Sequence, residues 1–204
     1  MQNMNETINF YNINAISYFE KTVEVDMSET YKRFVEHMKP HGVIIDIGAG
    51  SGRDVKYFLE SGFKVHGIDA SKELCKLSSE YTGVRIKCQT IQEWKPYIQY
   101  DGIWANASLI HLKKSEVEDF IKRLPEVISA DGVIYISLKE KIKEGFDKEG
   151  RYFNGLTIND IIFLLSQIGN YLIVENWISE DALLRQDVKW RNIIIRKKFQ
   201  NNRC

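Results

Sequence analysis

The stretch Val43 to Phe58, VIIDIGAGSGRDVKYF, constrains the fold of this chain more than any other part of it. Val43, Ile44, Ile45 and Ile47 are β-branched and suit a strand buried on both faces. Gly48, Gly50 and Gly52 follow at a spacing of two, and from Asp54 onward Val55, Tyr57, Phe58 and Leu59 read as the first turns of an amphipathic helix. A strand, a glycine-rich turn and a helix make half of a nucleotide-binding βαβ unit. In such a unit the glycines let the backbone approach a ligand, and the helix start offers unpaired N–H groups.

The spacing narrows the ligand. A dinucleotide fingerprint requires G-x-G-x-x-G, but here the third glycine comes one residue early and Arg53 stands in its place. Asp46 at the strand end would repel a pyrophosphate and attract a ligand carrying an ammonium and a sulfonium. A second strand, Phe63 to Ile68, ends at Asp69, placed to accept hydrogen bonds from both hydroxyls of a ribose. Ala70 is a small residue suited to lie under a base, and Ser71 caps the next helix.

With these residues in place, hydrophobic-hydrophobic-D-x-G-x-G-x-G resembles motif I of the class I S-adenosylmethionine-dependent methyltransferases. Three further strings, Tyr100 to Leu112 (YDGIWANASLIHL), Gly150 to Phe153 (GRYF) and Trp190-Arg191-Asn192, look like those of the small tellurite-resistance-type subgroup. The resemblance implies an α/β, Rossmann-like, seven-stranded, mostly parallel sheet with helices on both faces and a helical lid. It implies a single domain over 1–204, with lid helices in 1–41 and the core in 42–204.

Composition excludes little but is consistent with that fold. The chain has 204 residues, 44% hydrophobic and 27% charged, enough for one α/β domain with a substantial core. Lys plus Arg and Asp plus Glu are both 28, so the net charge gives no footprint for nucleic acid. Cys75, Cys88 and Cys204 are scattered, without C-x-x-C spacing, which suggests a reducing compartment and no metal site. No apolar run reaches the ~20 residues of a membrane span, and no signal segment is present, so a soluble cytoplasmic protein is expected. The oligomeric state is not set by the sequence.

Along the chain, residues 1–4 are expected to be disordered and a helix to run from Asn5 to Val23. Ser28 is expected to cap a second helix, which Pro40 and Gly42 stop. Val84, Ile86 and Cys88 suggest a third strand, and Ile103 to Ala105 a fourth. Ser115 and Glu118 suggest a capping box, Val133 to Leu138 a fifth strand, and Lys139 to Gly150 a mobile loop. Thr157 caps a helix that Gly169 ends. Tyr171 to Trp177 and Val188 to Ile195 read as two last antiparallel strands, ahead of a basic tail with Arg196, Lys197, Lys198 and Arg203.

The resemblance assigns Asp46 and the backbone of Gly48 and Gly50 to the amino-acid end of S-adenosylmethionine, with Ala49, Arg53 and Asp54 as further cofactor contacts. Asp69, Ala70 and Ser71 would take the ribose and base, Thr90 and Ile91 the adenine edge, and Asn106, Ala107 and Ser108 the sulfonium region. Tyr11 and Tyr18 could face the ligand or belong to the core. His111 reads either as a base or acceptor-positioning group, or as a helix-start histidine satisfied by backbone. Arg151 and Tyr152 read either as a substrate anchor, or as a salt bridge and a core aromatic; Trp177 is a weaker candidate. Asn106-Ala107-Ser108, where exocyclic-amine methylases carry a proline pair and an aromatic, argues against a nucleobase amine as acceptor. A small-molecule acceptor is expected, possible alternatives being RNA or protein, or a non-catalytic cofactor-binding subunit.

Overall fold

The computed structural model describes residues 2–197; Lys198, Arg203 and Cys204 lie outside the described residues. Three helices, α1 (Gln2–Ile13), α2 (Ala15–Thr22) and α3 (Ser28–Glu36), precede β1 (Val43–Ile47). Then follow α4 (Arg53–Glu60), β2 (Lys64–Asp69), α5 (Lys72–Thr82), β3 (Ile86–Cys88) and β4 (Tyr100–Ala105). A 3-10 turn (Leu109–His111) leads to α6 (Lys114–Val127), β5 (Ile128–Lys139) and a hairpin of β6 (Gly145–Phe146) and β7 (Tyr152–Phe153). The chain continues through α7 (Ile158–Ile168), β8 (Tyr171–Glu180) and β9 (Lys189–Lys197).

Seven strands form one sheet in the order β3-β2-β1-β4-β5-β9-β8. Strands β1 to β5 are parallel to one another, while β9 pairs antiparallel with both β5 and β8. Side-chain alternation then builds two cores. Ile45, Ile47, Ile103, Ala105, Ile134 and Ile136 face one side, against Val117, Phe120, Ile121 and Leu124 of α6. Ile44, Trp104, Tyr135 and Ile194 face the other, against Phe34 of α3 and Val55 and Phe58 of α4. Trp104 stacks on Tyr135 with ring centres 3.9 Å apart.

The order reverses between β1 and β4, so the loops after those two strands diverge and leave a crevice at their C-terminal ends. Gly48 and Ala49 turn the chain there by donating to the carbonyl of Ile68, 2.9 and 3.0 Å away.

Several local expectations shift. Helix α1 begins at Gln2, and a break at Asn14, whose amide donates to the Phe10 carbonyl (2.9 Å), separates it from α2. Ser28 is the first residue of α3 and not its cap: Met27 holds the N-cap position, and the Ser28 N–H donates to Asp26 Oδ1 (2.8 Å). In α6 the Glu116 carboxylate accepts from the Lys113 N–H (2.7 Å), so the helix starts ahead of Ser115. Strand β5 restarts directly after α6, because Ile128 already pairs with Tyr100. The expected loop 139–150 contains β6, which pairs with β7 through Gly145–Phe153 and Phe146–Tyr152.

Candidate active site

Two clefts open at the C-terminal ends of β1, β2 and β4 and meet there. The narrow one, about 830 Å³, runs between the glycine turn, the Asp69–Ser71 loop and the loop after β3, under α1. The wide one, about 1500 Å³ and open to solvent, lies between α2, the ends of β5, β8 and β9, and the β6–β7 hairpin. Tyr11, Tyr18, Gly48, Gly50, Asn106, Ala107 and His111 line both.

In the narrow cleft the Asp69 carboxylate accepts from the Gly50 N–H (2.9 Å) on one oxygen and the Ser71 N–H (2.8 Å) on the other. Each oxygen keeps a lone pair for a further donor. Burial pushes the Asp69 carboxyl up, against these hydrogen bonds, which pull it down. Ile8, Ile68, Leu74, Ile91, Leu109 and Leu112 supply its apolar walls. Thr90 is held by Glu93, whose carboxylate accepts from its N–H and hydroxyl, and Arg123 donates to the carbonyls of Ile91 (3.1 Å) and Trp94 (2.5 Å). The loop after β3 is thus fixed from α6.

Gly48 sits at φ +79°, and a Cβ there would stand 2.4 Å from Ser108 Cβ, so only glycine lets the two loops close together. Ser108 Oγ is buried and has no hydrogen-bond partner. Next to it Ala107 adopts φ +53°, with its N–H donating to Ser137 Oγ (2.7 Å), which in turn donates to Asn106 Oδ1 (3.0 Å). A non-glycine residue in this region is strained by about 1–2 kcal/mol. The sheet-anchored Ser137 holds it. An unpartnered polar atom and a strained loop at the meeting point of two clefts mark a place built for a ligand.

His111 is fixed from both sides. Its Nδ1 lies 2.7 Å from the Tyr152 carbonyl, which can only accept, so Nδ1 carries the hydrogen. Burial pushes the imidazole down to about 4, so it is neutral near pH 7 and Nε2 is an acceptor. The Tyr11 hydroxyl, 2.9 Å away, therefore donates to it. Burial, and then Tyr18, push the Tyr11 phenol up, so it keeps its proton. Tyr18 packs edge-on against Tyr11 at 5.2 Å.

Asp54, at the start of α4, accepts from Tyr31 (2.5 Å), Arg53 Nε (2.6 Å), Trp104 Nε1 (2.7 Å) and Asn106 Nδ2 (3.0 Å). Burial alone would raise its carboxyl, but Arg53 and these donors outweigh burial and hold it below the usual range. Asp54, Arg53 and Ala49 line the wide cleft and not the narrow one. Three expected candidates, Asp46, Tyr152 and Trp177, line neither. Asp46 is 1% exposed behind the glycine turn, and burial and the nearby Asp54 raise its carboxyl well above the carboxylate range. Tyr152 contributes its backbone to the site and not its side chain: the hydroxyl donates to Glu144 (2.7 Å) in the hairpin, and the N–H donates to Thr7 of α1. Trp177 also lies elsewhere, with the Arg33 guanidinium 4.9 Å above its ring.

Arg151 does reach the wide cleft, where Asp147 and Glu149 engage its guanidinium. Beside it stand Lys139, Phe153, Trp190, Asn192 and an Asp181–Arg185 pair. Sequence reasoning did not single out Thr7, Ile8, Leu74, Gln89, Leu109 and Leu112 of the narrow cleft, or Lys139 of the wide one. Thr7 and Tyr11 share a helix face by their i, i+4 spacing, a visible signal, but what that face covers is not written locally. Among the described residues no group of three or more His, Cys, Asp or Glu could hold a metal ion, and no helix is long and apolar enough to cross a membrane.

Residues 44–132 match the family model described as a methyltransferase domain. That segment holds the glycine turn, Asp69, the loop after β3 and the Asn106–His111 turn. Solved structures share the fold across nearly the whole chain. One is the 1,6-didemethyltoxoflavin-N1-methyltransferase of Burkholderia thailandensis, with its ligand and S-adenosylhomocysteine bound. It is 21% identical, at TM-score 0.73 over 95% of this chain and 90% of that one. Another is the magnesium protoporphyrin IX methyltransferase of Synechocystis with bound SAM, 14% identical, at TM-score 0.74 over 97% of this chain and 98% of that one. The [4+2]-cyclase SpnF, 14% identical, also shares the fold, at TM-score 0.64 over 84% of this chain and 80% of that one. No curated protein matches this chain by sequence.

Proposed function

We propose that the protein is an S-adenosylmethionine-dependent methyltransferase acting on a small molecule, with its whole length working as one domain in the cytoplasm. The observation that carries this is the junction of the two clefts. A narrow, apolar cleft with a ribose-binding carboxylate opens at Gly48, Gly50, Asn106 and Ala107 into a wide cavity lined with charged and aromatic groups. The narrow cleft fits the cofactor: Asp69 has spare lone pairs for vicinal hydroxyls, and Ser108 Oγ is a buried polar atom lacking a partner. Asp69, Ala70, Ser71, Thr90 and Ile91 hold the nucleoside end, and Gly48, Gly50, Asn106, Ala107 and Ser108 the rest.

The bound cofactor supplies a methyl group on a positively charged sulfur, which becomes neutral as the methyl leaves. The chain's work is alignment and exclusion of water. Tyr11 and Tyr18 cover the junction from the helical side. His111, with its imidazole pushed down to about 4, is too weak a base to draw a proton from an alcohol or amine. It acts instead as a positioning residue that aims the Tyr11 hydroxyl.

The alternative is a non-catalytic cofactor binder or a cyclase, an activity named for SpnF, which shares the fold. Calorimetry with S-adenosylhomocysteine and a transfer assay with labelled S-adenosylmethionine decide between them. Binding with transfer to small molecules supports the proposal. Binding without any transfer refutes it, as does absence of binding, and label appearing in RNA or protein moves the acceptor to a macromolecule.

A further inference from the structure

The cations lining the wide cleft are not equivalent. Arg53 is matched by Asp54, Arg151 by Asp147 and Glu149, and Arg185 by Asp181. Lys139, the last residue of β5, has no carboxylate within ion-pair distance among the described residues. Its ammonium lies over the face of Phe153, 4.9 Å from the ring centre, and its backbone sits opposite Trp190 of β9. Arg151 and Arg185 repel it, and Asp147 and Asp181 attract it from beyond contact distance. A half-buried cation without a counter-ion is a costly arrangement for a free protein. It becomes favourable when a ligand supplies the charge.

Position and size narrow the ligand further. Lys139 lines the wide cleft and not the narrow one, so the charge it meets lies away from the junction where the methyl is presented. The wide cleft extends from Asp26 and Glu29 to Trp190 and Asn192, more lining than an inorganic oxyanion covers. Because the neighbouring arginines are already matched, a single unpaired cation balances one negative charge and leaves the second charge of a phosphate monoester or diacid unmatched.

Resting on the methyltransferase reading, we propose that the methyl acceptor is a small organic monoacid whose anionic group Lys139 binds. The methyl is taken by a different atom of that molecule, which uses its own lone pair at the junction, and the bonding electrons return to sulfur. Trp190, half-buried in the same wall, gives the acceptor's body an apolar surface beside the ion pair.

The test separates small-molecule extract on an anion exchanger at neutral pH and follows labelled methyl transfer by wild type, Lys139→Met and Lys139→Arg, with S-adenosylhomocysteine binding measured on each. The acceptor should be retained on the exchanger and elute with monoanions. Lys139→Met should raise its KM by about tenfold or more and change kcat much less, the pattern of lost ground-state binding, while Lys139→Arg stays within about threefold. S-adenosylhomocysteine affinity, the check on folding, should match wild type in both. An acceptor in the unretained fraction, or an unchanged KM in Lys139→Met, would overturn the proposal. A wild-type protein that binds no S-adenosylhomocysteine, or transfers to no small-molecule fraction, overturns the underlying methyltransferase reading instead.

Discussion

At His111 a single carbonyl decides the chemistry. Because the Tyr152 oxygen can only accept, the ring presents Nε2 as an acceptor to Tyr11. Glutamine can reproduce that pairing, donating through its amide nitrogen and accepting through its oxygen, without being basic. His111→Gln should therefore keep S-adenosylhomocysteine affinity and transfer within a few-fold of wild type, whereas His111→Leu should lose both; a Gln variant as inactive as Leu would restore the general-base role. The depressed imidazole also has a stability consequence. Between its free value near 6.5 and its folded value of about 4, the unfolded chain takes up a proton that the folded chain does not. Stability is thus full above the free value and falls as pH drops through this window, by on the order of 1–3 kcal/mol. Thermal melts from pH 8 to 4 should show this loss in wild type and less of it in His111→Gln. At Asp69 the carboxylate serves both ligand and loop. Asp69→Ala should weaken S-adenosylhomocysteine binding by about 1–3 kcal/mol, read by calorimetry, with a smaller loss of melting temperature from the freed Gly50 and Ser71 amides.

At the scale of elements, the glycine turn was legible because its constraint is local. Strand β1, the spacing of Gly48, Gly50 and Gly52, and the Ser71 cap, whose Oγ accepts from the Leu74 N–H, all stand where the pattern puts them. Gly48→Ala tests the tightest point: positive φ and a 2.4 Å approach to Ser108 together should cost roughly 2–4 kcal/mol and abolish cofactor binding. A folded variant with native affinity would show that the two loops can separate freely. What the sequence hid depends on contacts between distant elements. Asp46 has the residue type expected of a ligand contact, but its strand faces the core at that position. Tyr152 sits in the right string, yet pairing of β6 with β7 turns its ring towards Glu144. Lys139 read as the edge of a loop because nothing local shows that β9 pairs with β5 up to that residue.

At the scale of the molecule, α1 lies across the sheet's active end and is tied down at three points. Asn12 Oδ1 accepts from Ser71 Oγ (2.8 Å) and the Glu73 N–H (3.3 Å), Thr7 Oγ1 accepts from the Tyr152 N–H (2.9 Å), and Tyr11 reaches His111. The resemblance implied helices ahead of β1, and they are present, but these anchors join residues too far apart in sequence to be read from spacing. Asn12→Ala should raise the S-adenosylhomocysteine dissociation rate more than it changes the melting temperature. Hydrogen exchange on wild type should show ligand protection concentrated in α1 and α2. Equal protection across the sheet would mean that the helices do not act as a cover.

Because Tyr11 forms part of the wall of both clefts, the two occupants share one hinge. Each occupant adds contacts to Tyr11 and so reinforces the anchors that already hold α1, and each should therefore tighten the other's hold. The same linkage runs backwards after transfer. On the proposed function, neither product should leave easily while the other holds α1, so a burst of product in the first turnover is expected; steady-state turnover equal to the single-turnover rate would show that α1 does not gate release.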